Sequence, residues 1–292
     1  MRNKIIKGIL FPTLVILIIL SCILFIIPSE SAKDKRVNGY KRRDNENLGV
    51  MLFGNSDLYS GFIPSILYDK YSITSYNCGK SKIEIDEAYN TICEAFKYQN
   101  PDLIILETDL LGYKAVKKKD NFVHRAYKNH DFWRQEGAST IIDMKGYVFS
   151  SKKVEWDKSM IGCDEYKLKA FNENLNYVKK IESLCEEHNS KLLLVELPSG
   201  TSWTLEYHNA IEDYLGEINA NFLDFNYMLD EIEFDEKNDS RDGGNHLNVF
   251  GAIKVTNYIS DYINLNYEIR KDENNKSFEK ASYLLKCKLN NL

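Results

Sequence analysis

The chain reads as an α/β protein: a parallel, doubly wound sheet of five strands in three layers, placed after an N-terminal transmembrane helix. Three features of its 292 residues predict this. Short apolar runs alternate five times with segments of helical period, which implies crossover connections and parallel pairing. The runs at 101–108 and 190–198 are apolar without alternation, as strands buried on both faces require. Residues 8–27 carry no charge and match the roughly 20 residues that a helix needs to cross a bilayer.

Composition removes several function classes. A net charge of −5, with no continuous basic face interleaved with aromatics, argues against a nucleic-acid partner. The six cysteines, Cys22, Cys78, Cys93, Cys163, Cys185 and Cys287, contain no Cys-x-x-Cys pair, so a zinc site of ordinary spacing is not expected. Their scattered spacing reads as free thiols. No metal and no cofactor is assigned.

Taken in order, residues 1–7 are a short basic head with Arg2, Lys4 and Lys7, and 8–27 follow as a signal anchor. The head favours an inside amino terminus and an extracytoplasmic domain, whereas Lys33, Lys35, Arg36, Lys41, Arg42 and Arg43 after the apolar segment favour the reverse by the positive-inside rule. The signal-anchor orientation is preferred. Cleavage near Ser31-Ala32 and lipidation at Cys22 fit their patterns poorly. Residues 28–47 read as a linker, its charged stretch 33–47 solvated, and the ordered domain is expected from Leu48.

The first strand ends at Gly54, and the turn after it delivers Ser56. Phe62, Ile66, Leu67 and Tyr71 share one face of a helix expected over 60–71, and 73–78 is the second strand. A helix over 84–98, the strand 101–108, a long polar and aromatic connection over 113–165, a helix over 166–189 and the strand 190–198 follow. A connection of that length tends to form a lid or binding surface, and Trp133 and Trp203 read equally as a groove floor or as core packing. A helix over 207–218, a strand over 220–226 and an amphipathic helix ending at Ile263 complete the domain, 48–263. Residues 264–292 form a tail with a helical pattern from Lys276.

Chemistry gathers at two places. A hydrolytic serine needs an imidazole to take its proton and a carboxylate to orient that ring. Asp242 and His246 supply both within five residues, on a Gly-Gly loop ahead of a helix. His124, His130, His188 and His208 sit in polar or amphipathic settings and read as surface or packing residues, Asp224 as a sheet-edge polar residue, and 230–239 as a solvated acidic loop.

Gly-Asn-Ser-Asp at 54–57, Tyr-Asn-Cys-Gly at 76–79 and Asp-Gly-Gly-Asn-His-Leu-Asn at 242–248 resemble the first, second and fifth blocks of the SGNH (GDSL-like) hydrolase superfamily. The likeness spans most of Leu48–Ile263. Its sub-pattern is similar to the membrane-anchored cell-surface members of Gram-positive bacteria and, more distantly, to the teichoic-acid D-alanyl transfer and alginate acetylation proteins. The resemblance implies a flavodoxin-like sheet of SGNH type, Ser56 as nucleophile, His246 as general base and Asp242 as its orienting carboxylate. It further implies that the backbone N–H groups of Ser56 and Gly79 form the oxyanion hole.

Two departures stand out. The last block is Asp-x-x-x-His in place of Asp-x-x-His, so either a bulge through Gly243-Gly244 absorbs a residue or Asp239 or Asn245 orients the ring. The third-block Asn is missing, since the third strand ends in Glu107-Thr108-Asp109. The expected activity is therefore an extracytoplasmic serine esterase or O-acyltransferase acting on acyl esters of a cell-surface glycan. Its partners would be the glycan or its ester and a multi-pass membrane acyltransferase. A non-catalytic polymer-binding module and an inward-facing lipid esterase remain as alternatives.

Overall fold

The computed structural model describes residues 2–26, 36–42, 47–112, 137–157, 165–201 and 203–292. Residues 113–136 of the long connection, with Phe132, Trp133, His124 and His130, and residues 158–164, with Cys163, lie outside them. The elements run α1 Arg2–Ile26, β1 Val50–Phe53, α2 Ser56–Gly61, α3 Pro64–Tyr71, β2 Ser75–Asn77, α4 Ile85–Ala95, β3 Leu103–Glu107 and α5 Gly137–Asp143. They continue with α6 Glu165–Glu187, β4 Lys191–Glu196, α7 Leu205–Leu215, β5 Asn221–Asp224, α8 Val249–Asn266 and α9 Lys276–Asn290.

The five strands pair in parallel in the order β2-β1-β3-β4-β5. Side chains alternate across the strands, so one sequence run feeds two cores. Met51, Phe53, Ile104, Leu106, Leu192 and Leu194 face the layer built by α4, α6 and α7. Val50, Leu52, Leu103, Ile105, Leu193 and Val195 face the layer of α2, α3 and α8. The unbroken apolar runs of β3 and β4 follow from this double burial.

The expected helix over 60–71 is two helices. Pro64 has no N–H to donate and forces the residue before it out of the helical region, leaving Phe62 and Ile63 extended between α2 and α3. The break shortens the helix that carries Ser56 to six residues.

The linker also departs from expectation. Val37 and Tyr40 are buried, and Tyr40 lies edge-on to Tyr76 and Tyr98. Gln99 Nε2 donates to the Tyr40 carbonyl at 2.8 Å, and Arg36 Nη2 donates to the Gly79 carbonyl at 2.9 Å with its guanidinium 4.0 Å over the Tyr59 ring. Charge count hides such docking, because a long basic side chain buries its stem beside aromatic rings. The tail packs on the domain through α9: Phe278 is fully buried beside Tyr68, and Ser282 Oγ donates to Asp69 at 2.6 Å.

The expected transmembrane segment falls on α1, where the side chains described over 10–22 are exposed. Among the described residues, however, no helix is long and apolar enough to cross a membrane. The cysteines Cys22, Cys78, Cys93, Cys185 and Cys287 are free thiols.

Candidate active site

The sheet order leaves the carboxyl ends of β1, β3, β4 and β5 along one edge, where ligands bind in open parallel sheets. At β1 the chain turns on Gly54, where a Cβ would lie 2.5 Å from Glu107 Cβ, so no larger residue fits. Asn55 then caps α2, its Oδ1 accepting from Asp57 N at 2.7 Å while its Nδ2 donates to Asp109 Oδ2 at 2.6 Å. These bonds hold Ser56 as the first residue of α2, half-buried at the rim of the edge.

The second half of the site is the loop 240–248. Gly243 and Gly244 take positive φ values of 88° and 107°, a region open to glycine at little cost. Ser240 Oγ accepts from Gly244 N at 2.8 Å, and Arg241 N donates to the His246 carbonyl at 3.1 Å, closing the loop into a bulge that takes up the extra residue of Asp-x-x-x-His. Residues 147–157 brace it: Val154 N donates to the Ser240 carbonyl, Asp157 N to the Gly243 carbonyl, and the Trp156 ring fills the space against Gly200 and Gly244. Part of the long connection therefore walls the cleft.

The bulge sets Asp242 against His246 twice. Asp242 Oδ1 accepts from His246 N at 2.8 Å and Oδ2 lies 2.5 Å from Nδ1. Burial opposes charge on Asp242 but is outweighed by the hydrogen bond and charge of His246 and by Arg241, so its carboxyl lies below the usual aspartate value. Of the two other candidates for orienting the ring, Asp239 is engaged elsewhere, by Lys254 Nζ at 2.8 Å and Asp235 N at 2.7 Å. Asn245 Nδ2 lies 2.9 Å from His246 Nδ1, but an amide NH2 donates and cannot accept the ring proton that Asp242 Oδ2 faces, so it does not take the carboxylate's place.

His246 Nε2 lies 3.6 Å from Asp57 Oδ1, the residue after Ser56, so the loop and the Ser56 turn meet. Among the described residues no hydrogen bond joins Ser56 Oγ to His246. Asp57 belonged to the first quoted block, but sequence reasoning assigned it nothing.

The expected oxyanion pair is corrected by half. The Ser56 N–H opens a helix and has no intrahelical acceptor, as such a donor requires. The Gly79 N–H instead donates to Asn77 Oδ1 at 3.0 Å, while Asn77 Nδ2 donates to the carbonyls of Leu58 at 2.8 Å and Phe62 at 3.2 Å. Asn77 is thus committed to the turn, and Gly79 supplies no donor to the cleft.

Behind Ser56, carboxylate oxygens of the buried Asp57, Glu107 and Asp109 lie within 4.8 Å of one another, a donor set that a hard cation accepts. A proton meets the same electrostatic need. Burial, then the carboxylates of Asp109, Asp57 and Glu196, push Glu107 well above the ordinary glutamate value. With its carboxyl raised in the folded state, Glu107 contributes stability that is complete below the unfolded value and lost as pH rises towards the folded one. Glu107→Gln keeps the acceptor for Asn55 N, now at 3.0 Å, and removes that loss. In thermal melts from pH 5 to 8 the variant should show a shallower fall of Tm than the parent; equal slopes would contradict the assignment.

His208 holds Asp224 Oδ2 at 2.7 Å, shares it with Trp203 Nε1, and packs its ring at a tilt against Tyr227; His188 stacks on Phe96. Both are packing residues.

Neither a family model nor a curated protein sequence matches the chain. Similar solved structures include a psychrotrophic esterase from Pseudoalteromonas, 13% identical over 74% of this chain and 97% of that one, TM-score 0.44. A GDSL-like lipase from Bacteroides thetaiotaomicron is 12% identical over 80% and 98%, TM-score 0.43. A lipase/acylhydrolase from Enterococcus faecalis is 10% identical over 76% and 98%, TM-score 0.41.

Proposed function

We propose that the protein is a serine esterase or O-acyltransferase of SGNH type that works through an acyl-enzyme on Ser56. The observation that carries this reading is the His246–Asp242 pair at 2.5 Å, brought by the Gly243-Gly244 bulge to the turn that presents Ser56. In that arrangement His246 accepts the hydroxyl proton as Ser56 attacks an ester carbonyl. It then returns the proton to the departing alcohol, and water or an acceptor hydroxyl takes the acyl group by the same steps in reverse. Asp242 holds the ring in the tautomer with Nδ1 protonated.

A hole with one backbone donor supports slow turnover, since each such donor contributes about 10²- to 10³-fold to kcat. Slow turnover suits a transferase whose acyl donor is supplied by a partner, the multi-pass membrane acyltransferase, better than a free esterase. The glycan ester as substrate and an extracytoplasmic domain tethered through 8–27 belong to the same reading. Exposed apolar side chains around α1, among them Leu10, Phe11, Leu14 and Ile16, support the tether. The opposing view, a polymer-binding module with a degenerate site, draws on the engaged Gly79 N–H.

Labelling with a fluorophosphonate separates the two. The expected result is a stoichiometric adduct that maps to Ser56 by peptide mass. A folded protein with no adduct, beside a control serine hydrolase that labels normally, would leave only the binding module.

A further inference from the structure

Arg36, in the segment ahead of β1, is a cation buried without a counter-ion among the described residues. It is 8% exposed, its guanidinium meets the Gly79 carbonyl at 2.9 Å and the Tyr59 ring at 4.0 Å, and its Nε finds no acceptor. Burial of an unpaired charge is costly, so the position calls for a reason beyond packing. The Gly79 carbonyl belongs to the peptide whose N–H, on Lys80, donates to the Gly54 carbonyl at 2.9 Å. That carbonyl belongs in turn to the peptide whose N–H, on Asn55, donates to Glu107 Oε2 at 3.0 Å. A trans peptide carries its C=O and N–H in opposite directions. The two units therefore run in series from the cation to the buried carboxyl, each with its oxygen towards Arg36. Bonds aligned in this way polarise one another, and the charged donor strengthens the first of them.

We propose that Arg36 is a positioning residue of the active site: its guanidinium anchors this two-peptide chain and through it fixes the Gly54–Asn55 turn that aims the Ser56 N–H. The Asn55 ψ of −149° sets the plane of the next peptide and hence the direction of that N–H, the donor that the oxyanion hole keeps of its expected pair. With a single donor, any tilt of it falls fully on the transition state. Tyr59 lies one helical turn beyond Ser56 on the same face of α2, so the ring that supports the guanidinium keeps it at the nucleophile's end of the sheet. Residues 36–42 thus belong to the catalytic apparatus and not only to the connection with α1. The inference rests on the serine reading above.

The test combines turnover of nitrophenyl acetate with fluorophosphonate labelling at Ser56, both in the full-length protein. Arg36→Met keeps the stem and removes the donors; kcat should fall about tenfold with KM changed by less than about twofold, part of the 10²- to 10³-fold that a whole donor contributes. Labelling should slow by the same factor yet reach the parental stoichiometry, whereas damage to the fold lowers the stoichiometry itself. Arg36→Lys restores a charged donor and should recover kcat to within about threefold of the parent. If Arg36→Met fails to fold by thermal melt, Arg36→Gln, which removes the charge, takes its place. A kcat for Arg36→Met within about twofold of the parent, a loss carried by KM, or an Arg36→Lys no faster than Arg36→Met overturns the anchoring role while leaving the serine enzyme standing. No label in the folded parent overturns both.

Discussion

Ser56→Ala should abolish ester turnover while leaving the fold untouched. Ser56 is half-buried, and the bonds that shape its turn come from its neighbours: the Asn55 cap, the Asn55 N–H to Glu107 Oε2 at 3.0 Å, and Ser60 Oγ donating to the Ser56 carbonyl at 2.7 Å. None uses the Ser56 hydroxyl, so the melting temperature should hold. A complete triad with a complete hole loses on the order of 10⁶ in kcat when its serine is removed. Here the hole lacks the Gly79 donor, which lowers the starting rate by about 10²- to 10³-fold. The expected loss on a nitrophenyl acetate substrate is therefore smaller, about 10³- to 10⁴-fold in kcat. A variant that keeps a tenth of the parental rate would show that another group does the chemistry.

The parts of the fold that the sequence disclosed are those set by local pattern. The buried runs of β3 and β4 and the long period of α6 and α8 needed no partner to be seen. The break between α2 and α3 was missed because Phe62, Ile66, Leu67 and Tyr71 keep helical spacing across it, although Pro64 was the visible signal. Docking of Arg36–Lys41 depends on Tyr76, Gly79 and Gln99, residues that adjoin it only after folding. For the site, Ser56, Asp242 and His246 were legible as motif blocks. Asp57 was not, since its approach to Nε2 depends on how a loop 189 residues further along the chain crosses the sheet edge. The Gly79 correction is of the same kind: a glycine names a close approach, to the Asn55 carbonyl in this case, but does not say where its N–H points.

Asp242→Asn is the sharper test of the bulged loop. Asp242 accepts twice from His246, through the backbone N–H at 2.8 Å and through Nδ1 at 2.5 Å. The amide can keep the first bond with its oxygen but must then present an N–H to Nδ1. That forces the ring proton onto Nε2 and removes the lone pair that the Ser56 hydroxyl requires. Loop geometry survives, because the Ser240–Gly244 bond and the brace from residues 147–157 do not involve the carboxylate. Orientation by a carboxylate contributes up to about 10⁴-fold in a dry triad. Asp242 is partly open to solvent, with 35% of its side chain accessible, so a loss of about 10²- to 10³-fold in kcat is expected here, with KM little changed. Asn245→Ala, by contrast, removes a neutral contact and should cost no more than about threefold. If Asn245→Ala slows the enzyme more than Asp242→Asn, the amide orients the base, and the extra residue in Asp-x-x-x-His has displaced the carboxylate from its role.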